Sequence, residues 1–258
     1  MSDLARRAVV SVIVTTYNRL DALKAVLHGL NRQTDGSFEV IVADDGSEPN
    51  ASATSKEFGA KHVWHPHNGF RAAAIRNRAV EASGGDYLVF LDGDCIPRPS
   101  FIRRHRALAE TGWFVTGNRV LLSQQATASV LSSHDHLRQN WLLHRVCGGI
   151  NRLSPLLTLP IPRMRLATEW KGAQSCNLGN WRSDFDRVGG FDEAYQGWGY
   201  EDSDFVVRLI HAGVKRKDGR FATGVVHLWH PQNDRTSTAR NLERLQKRLR
   251  LLAPAYVD

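Results

Sequence analysis

The chain contains 258 residues, 42% of them hydrophobic and 23% charged, and this composition is typical of a soluble globular protein with one large α/β domain or one domain with an appendage. No stretch approaches the roughly 18 to 20 apolar residues that span a bilayer, nothing near the N-terminus is typical of a signal peptide, and the formal net charge of +8 indicates an anionic partner. Three cysteines without a Cys-x-x-Cys pair disfavour a disulfide framework or a zinc site, so we expect a reducing, cytoplasmic location.

The first 95 residues alternate between strand and helix patterns. "AVVSVIVTTY" (8–17) is a β-branched run typical of a buried parallel strand, and "LDALKAVLHGLNRQ" (20–33) repeats apolar residues at helical spacing. The same alternation continues with strands at 38–47, 61–65 and 86–95 and a helix at 72–83. It predicts an α/β fold in which helices flank a mostly parallel central sheet.

The second half is less regular. We predict a helix at 101–110, one strand at 112–122 and helical structure over 126–147. Farther on, we predict a strand and a short helix within 175–193, a helix over 201–213 and a hairpin or strand pair at 215–231. Residues 126–168 form a helical and irregular stretch that we interpret as a mobile or partner-facing insertion.

Polar and acidic residues gather where the predicted parallel strands end. In sheets of this kind, ligands bind beyond the carboxyl ends of the strands. The side chains expected at that edge are Thr15, Tyr17, Asp44, Asp45, Asp92 and Asp94.

"FLDGDC" contains an Asp-x-Asp pair, Asp92 and Asp94, directly after an apolar strand. Such a pair ligates Mg²⁺ or Mn²⁺, with diphosphate oxygens completing the shell. Asp-Gly-Asp is also ordinary turn chemistry. A second acidic pair, Asp44 and Asp45, is expected at the same edge, and two like-charged clusters there favour a bound cation or a donor-rich ligand.

Four segments of the first half, "VSVIVTTYNR", "VIVADDGS", "NGFRAAAIRN" and "GGDYLVFLDGDC", resemble the nucleotide-sugar-binding half of family-2 glycosyltransferases of the GT-A fold. "GGFDEAYQGWGYEDSDFVVRL" resembles the acceptor-side segment of galactosyltransferases and chondroitin-polymerase-type enzymes. The resemblance covers roughly residues 8–100 and 170–231, and it is specific because the motifs occur together in this order.

The resemblance implies how a UDP-sugar and a metal ion would be held. Arg71 and Arg76 would approach the nucleotide or diphosphate, although a solvated helix face is the alternative. His227 would complete the metal shell as an imidazole ligand, which suits Mn²⁺ better than Mg²⁺; His230 competes for that role, and a structural strand histidine is the alternative. The full nucleotide-sugar set is Thr15, Tyr17, Asp45, Arg71, Arg76 and Asp92, and the metal set is Asp94, Asp92 and His227.

Carboxylates also crowd the start of the predicted 201–213 helix. Acidic residues in a first turn suit the helix dipole, by about 0.3–1 kcal/mol each. The resemblance assigns the catalytic base to Asp202, with Glu201 next, and leaves Asp204 to cap or brace the helix.

Three residues are candidates for binding the acceptor. Trp198 lies between two glycines, where an exposed indole stacks on a sugar ring unless it belongs to the core. Asn177 and Asp192 are the others, each with a structural role as the alternative.

The resemblance therefore implies a metal-dependent inverting glycosyltransferase that moves a sugar from a UDP-sugar to a glycan hydroxyl and leaves a β-linkage. A lipopolysaccharide-type or capsule-type acceptor, and no nucleic acid, are the expected partners. The alternatives are a GDP- or dTDP-sugar donor and a non-catalytic glycan-binding protein. We expect a catalytic domain over residues 1–238, with the nucleotide-sugar half at about 8–100 and the acceptor half at 101–231.

Residues 239–258 are expected to form a separate basic, amphipathic C-terminal helix. Leu242, Leu245, Leu249 and Leu252 recur at helical spacing among arginines and Lys247. Such a helix lies on an anionic membrane, here the inner face of the cell membrane, or it packs against the catalytic domain with a solvated basic face.

Overall fold

The computed structural model describes Ala5 and residues 8–133, 140–158, 168–232 and 234–252. The N-terminal half follows the predicted alternation and adds one helix that the sequence analysis did not predict, at Ser52–Glu57. Its strands and helices are β1 (Val10–Thr16), α1 (Leu20–Asn31), β2 (Phe38–Asp44), α2 (Ser52–Glu57), β3 (Lys61–Trp64), α3 (Ala72–Glu81) and β4 (Tyr87–Asp92).

The C-terminal half is built from shorter elements. They are β5 (Cys95–Pro97), α4 (Phe101–Leu108), β6 (Trp113–Thr116), β7 (Arg119–Leu121), α5 (Gln124–Ser132), α6 (Trp141–Val146), a 3₁₀ turn (Ser154–Leu156), β8 (Asn177–Trp181), α7 (Arg182–Arg187), α8 (Glu201–His211), β9 (Lys215–Asp218), β10 (Val225–His227) and α9 (Thr238–Leu251).

Among the described residues, seven strands form one large sheet in the order β3-β2-β1-β4-β8-β6-β9. The first four are parallel to one another, and β8 runs antiparallel to both of its neighbours. Each face of the sheet buries its own apolar cluster: Val12 and Val14 of β1 face α1, whereas Ile13 faces α3 and α8. This alternation follows from the two-residue period of a strand, and the predicted fold class is confirmed.

A second, smaller sheet has no counterpart among the sequence predictions. It has the order β5-β10-β7, with β10 antiparallel to β5 and parallel to β7. It joins the segment that follows β4 to a segment more than 120 residues later. This pairing brings the two halves of the chain together at the edge where β4 ends.

Two sequence predictions in this half are wrong in part. The single strand predicted at 112–122 is divided, because β6 belongs to the large sheet and β7 to the small one. Gly117 lies at the break, where its backbone passes so close to Asn177 that a Cβ atom would collide with that side chain. The segment 215–231, predicted as a hairpin or strand pair, does contain two strands, but β9 and β10 lie in different sheets and do not form a hairpin.

The insertion and the C-terminal helix are described in part. Helices α5 and α6 account for much of the helical structure predicted over 126–147, while residues 134–139 and 159–167 lie outside the described residues. Helix α9 packs against α8 and buries Leu245 completely, which is the packing alternative for this helix. Residues 253–258 lie outside the description, and none of the described helices is long and apolar enough to cross a bilayer.

Candidate functional site

The ends of β1, β2 and β4 lie side by side, as predicted. Thr15 pairs with Asp92 across β1 and β4, and the Gly93 N–H donates to the Thr15 carbonyl at 2.7 Å. A Cβ atom on Gly93 would lie 2.9 Å from that carbonyl oxygen, so glycine is required between the two aspartates. The turn therefore holds Asp92 and Asp94 on either side of Gly93, which is packed tightly against the end of β1.

Strand pairing in the small sheet explains how a distant histidine reaches Asp94. His227 pairs with Cys95, and the Leu228 N–H donates to the Asp94 carbonyl at 2.8 Å. Asp94 Oδ2 then lies 3.7 Å from His227 Nε2 and 3.5 Å from His230 Nε2. Burial lowers the pKa of His227 to about 4 against the opposing charge of Asp94, so the imidazole is neutral near pH 7.

These side chains fit a divalent ion. Ligand atoms of Asp94, Cys95 and His227 lie within 4.8 Å of one another, as do those of Asp92, Cys95 and Cys176. A carboxylate and a neutral imidazole are ligands that Mn²⁺ accepts. Both His227 and His230 are within reach of Asp94, so the geometry leaves the choice between them open.

Sequence reasoning missed one cation beside this cluster. Arg119 of β7 has a raised pKa: burial alone would lower it, but the neighbouring Cys176, Cys95, Asp92 and Asp94 outweigh burial. A positive charge there is suited to a diphosphate. No local motif marks Arg119 in the sequence, because it arrives through the small sheet.

Arg76 connects the donor side of the site to the acidic cluster at the start of α8. Its guanidinium is buried and donates to Thr15 Oγ1 at 3.2 Å, Asp92 Oδ1 at 3.3 Å and Glu201 Oε1 at 3.2 Å. It also lies 5.4 Å from the centre of the Phe191 ring. With its donors used inside the protein, Arg76 organises the site.

Asp202 follows Glu201 directly in the chain and has different hydrogen-bond partners. Its Oδ1 accepts from the Ser203 N–H at 2.7 Å and its Oδ2 from the Ser175 N–H at 3.3 Å. Burial and the charge of Glu201 raise its pKa to about 7, while Arg76 and the two backbone donors oppose them. A carboxyl group with this pKa near neutral pH is matched to proton transfer.

The other acidic residues of this region support the structure. Asp204 is completely buried and accepts from Arg208 Nε at 2.7 Å and Arg248 Nε at 3.0 Å. Asp192 accepts from Arg248 Nη2 at 3.1 Å and also contacts Arg244. The contacts of Asp192 thus support its structural alternative rather than acceptor binding.

The two other acceptor candidates differ. Asn177 is completely buried, with its Oδ1 2.9 Å from His105 Nε2 and its Nδ2 donating to the Thr223 carbonyl. A side chain so enclosed cannot touch an acceptor, so its predicted acceptor role is corrected to a structural one. Trp198 is partly exposed in the loop before α8, 5.0 Å from the Arg235 guanidinium.

The residues predicted to bind the nucleotide also differ in their exposure and hydrogen bonding. Tyr17 is 41% exposed and stacks on His67, with ring centres 4.9 Å apart. Asp45 is buried, lies 2.5 Å from His65 Nε2 and accepts from the Arg71 N–H at 2.8 Å. Arg71 donates to Pro66 through Nη2, while its buried Nε has no partner among the described residues. Tyr17 therefore offers an exposed ring to a ligand, and Arg71 offers an N–H group left unpaired within the described part of the chain.

Asp44, the remaining residue of the acidic edge, is structural. It is completely buried and accepts from the Ser47 and Ala51 N–H groups, and His62 lies 3.1 Å away. Burial alone would raise its pKa, but these hydrogen bonds outweigh burial and lower it. The carboxylate closes the loop after β2.

Comparison with known families supports the same assignment. The model described as glycosyl transferase family 2 matches residues 11–160, more than half of the chain. The chain belongs to glycosyl transferase family 2. A second model, described as the N-terminal domain of galactosyltransferase, matches residues 157–232. The two matches confirm the resemblance on which the sequence interpretation rests.

Several curated proteins are similar to this family-2 chain. Hyaluronan synthase of Pasteurella multocida is 30% identical over 82% of this chain and 24% of its own length. Validoxylamine A glucosyltransferase of Streptomyces hygroscopicus subsp. jinggangensis is 28% identical over 83% of this chain and 54% of its own length. Chondroitin synthase of Escherichia coli is 28% identical over 79% of this chain and 32% of its own length. The chain thus spans between about a quarter and half of these relatives.

Solved structures share the fold of this family-2 chain. A mannosyltransferase from Pyrobaculum calidifontis, solved with GDP-Man and Mn²⁺, has a TM-score of 0.60 at 17% identity, covering 96% of this chain and 65% of that one. TarS 1-349 of S. aureus has a TM-score of 0.62 at 16% identity, covering 95% of this chain and 64% of that one. The central sheet and flanking helices are therefore those of a GT-A fold.

Proposed function

We propose that this chain is a metal-dependent inverting glycosyltransferase that moves a sugar from a UDP-sugar to a hydroxyl group of a glycan. The observation that carries the proposal is the bridge made by Arg76. Its guanidinium bonds Asp92 of the predicted metal pair and Glu201 beside the predicted base. Donor and acceptor chemistry would therefore occur within one site.

Asp202 is the proposed catalytic base. In its ionised form it would remove the proton of the acceptor hydroxyl while that oxygen forms a bond to the anomeric carbon. The bond from that carbon to the diphosphate oxygen breaks on the opposite face, so the configuration inverts and a sugar that is α-linked in the donor becomes β-linked in the product. Arg76 keeps Glu201 paired, and Asp202 is left as the carboxylate for proton transfer.

Asp94, with His227 or His230, would hold the divalent ion beside Asp92. A bound Mn²⁺ or Mg²⁺ supplies positive charge to a departing diphosphate. Arg119 would add a second positive charge from β7. The proposed metal ligands include an imidazole, and this favours Mn²⁺.

The choice of a UDP-sugar rests on the resemblance of Thr15, Tyr17 and Asp45 to positions that hold uracil and ribose. The exposed ring of Tyr17 and the unpartnered Nε of Arg71 among the described residues support a nucleotide at this edge of the sheet. A GDP-sugar is the second candidate, because the solved mannosyltransferase of the same fold holds GDP-Man. A glycan acceptor is supported by the hyaluronan and chondroitin synthases among the relatives. A lipid-linked glycan and a position at the inner face of the cell membrane stay predictions.

The test is release of the nucleoside diphosphate from a panel of UDP-, GDP- and dTDP-sugars, with a glycan acceptor mixture, in Mn²⁺ and in chelator. We expect release from a UDP-sugar that depends on Mn²⁺ and rises with acceptor. Release from GDP-sugars alone would replace the donor assignment. No Mn²⁺-dependent release from any of these donors would overturn the proposal.

A further inference from the structure

Helix α6 exposes an apolar surface that the proposed glycosyl transfer does not use. None of its six residues is buried. Leu142, Leu143 and Val146 are 65%, 58% and 78% exposed, and we call these three side chains the α6 face. Three large apolar side chains exposed together on one short helix are typical of an interaction surface.

The helix is fixed to the protein body. The Asn140 side chain caps it by accepting from the Leu143 N–H at 3.0 Å, and Trp141 packs against the apolar core. The chain after the helix returns to the fold through a bridge between Ile150 and Leu122. The α6 face is therefore presented outward by a helix with a fixed base.

The charge around this face identifies the kind of partner. Helix α6 contains one arginine, Arg145, and no acidic residue. Arg145 and, farther along the chain, Arg152 are exposed. The chain as a whole carries +8, so a second copy would be repelled and an anionic surface attracted. Apolar side chains among cations, with an adjoining tryptophan, suit the interface of an anionic bilayer.

Helix α9, for which the sequence leaves membrane contact and protein packing equally open, packs against the protein. Its Leu245 is completely buried, and its Arg248 pairs with Asp192 and Asp204. Leu242, Leu249 and Leu252 are half-buried, so the apolar side of α9 is largely covered by the protein. Among the described residues, α6 has three strongly exposed apolar side chains and α9 has one, Leu251.

The chain that follows α6 joins the small sheet. Residue Leu121 of β7, itself 39% exposed, pairs with His227, and Asn151 returns to Leu121 through two hydrogen bonds. The segment that follows α6 is therefore attached to the strand beside His227.

We propose that the α6 face, with Arg145 and Arg152 beside it, docks this protein on an anionic lipid surface. This inference does not rest on glycosyl transfer, and vesicle binding needs neither donor nor acceptor.

The test is cosedimentation with phosphatidylcholine vesicles that contain phosphatidylglycerol, at low salt, compared with vesicles of phosphatidylcholine alone. The wild-type protein should bind the anionic vesicles only. A triple variant, Leu142→Ser, Leu143→Ser and Val146→Ser, should bind at least about tenfold more weakly. Because the three side chains are exposed, its melting temperature should equal that of the wild type.

Matched variants on α9 control for general effects. Leu251→Ser removes a leucine that is 69% exposed and should leave binding unchanged. Arg145→Glu should weaken binding more than Lys247→Glu, which makes the same change of charge on α9.

Three outcomes would overturn the proposal: no binding by the wild type, a triple variant that binds as the wild type does, or equal loss in the α9 variants. Sedimentation velocity without lipid tests the other occupant. A self-association that the triple variant abolishes, without lipid binding, would assign the α6 face to a second copy of the chain.

Discussion

Asp202 and Glu201 are adjacent carboxylates with different surroundings. Glu201 is buried and paired with Arg76, whereas Asp202 accepts from two backbone N–H groups and has a pKa of about 7. Neighbouring groups whose environments separate their pKa values commonly take separate roles in acid–base chemistry. The two side chains should therefore respond differently to neutralisation.

Replacing Asp202 with Asn should lower the rate of transfer about a hundredfold or more, because the amide cannot take the acceptor proton. Donor-nucleotide affinity, measured by calorimetry, should stay within about twofold, since Asp202 is not in the predicted donor set. Asp186→Asn, which changes an exposed carboxylate on α7, is the control and should be silent. Full activity in the Asp202→Asn variant would remove Asp202 as the base.

The pH dependence of kcat/KM follows from the raised pKa of Asp202. Below about pH 7 the carboxyl group is protonated and cannot accept a proton, so kcat/KM should fall as the pH is lowered through that value. In Glu201→Gln one negative charge beside Asp202 is gone and Arg76 loses a partner. Both changes favour the ionised form of Asp202, so the midpoint should move to lower pH. If Glu201 is the base instead, this variant is inactive and shows no such profile.

The sequence predicts the positions of some site residues but not the partners of others. The motifs predict that Asp92, Asp94 and Asp202 lie at strand ends and a helix start, because those positions are local signals, and the structure brings them to one region through Arg76. They do not show that Asn177 is enclosed by His105 and Thr223, or that Asp192 is paired with two arginines of α9. Those partners come from distant segments, and a polar residue looks alike in sequence whether its partner is solvent, ligand or protein.

At the scale of elements, α9 acts as a brace for the loop that carries Trp198. Asn241 is buried, and its Nδ2 donates to the carbonyls of Gln196 at 3.2 Å and Gly199 at 3.0 Å. The loop needs such support because Gly197, Gly199 and Tyr200 all have positive φ angles, and Tyr200 carries a steric cost there that glycine does not.

Asn241→Ala should therefore loosen the loop without touching the donor side. We expect the KM for the acceptor to rise several-fold while the donor affinity is unchanged, measured by initial rates and calorimetry. Asn241→Asp should fail in the same way, since a carboxylate has nearly the same shape but donates nothing. Lys247→Ala, on the exposed side of α9, is the control. Equal losses for donor and acceptor would indicate general destabilisation instead.

The amphipathic pattern of α9 predicts the helix correctly, but it does not show whether the helix packs on a membrane or on the protein. Leucines among arginines suit both a membrane and a protein surface that offers carboxylates. Asp192 and Asp204 decide between them, and they lie about 40 to 60 residues earlier in the chain. Removal of the whole helix would also take away Arg248, which donates to the buried Asp204 of α8, so point variants are the sharper experiment.

At the scale of the molecule, the large sheet could be predicted and the small sheet could not. β1 and β2 are β-branched runs and β4 is a continuous apolar run, and their alternation with helices along the chain predicts a parallel sheet. β5, β7 and β10 have three residues each, too short for a periodic signal. Yet this small sheet sets His227 beside Asp94, so the proposed metal site depends on the least predictable part of the fold.

This arrangement links metal binding to the stability of the whole chain. An ion held by Asp94 and His227 would join the segment after β4 to β10, and an ion that binds only the folded protein stabilises it by about 2.7 kcal/mol at a hundred times its Kd. For a chain of this size that corresponds to a rise in melting temperature of about 5 to 10 °C. We expect Mn²⁺ to produce such a rise, chelator to reverse it and Mg²⁺ to produce a smaller one.

His227→Ala should abolish the Mn²⁺-induced rise, because the remaining carboxylates lose their imidazole partner, whereas His230→Ala should retain it. The reverse result would transfer the ligand role to His230, which lies at a similar distance from Asp94. Because burial keeps His227 neutral at pH 7, this imidazole releases no proton when it binds a metal ion. For that reason the rise with wild-type protein should change little between about pH 6 and 8, a measurement independent of turnover.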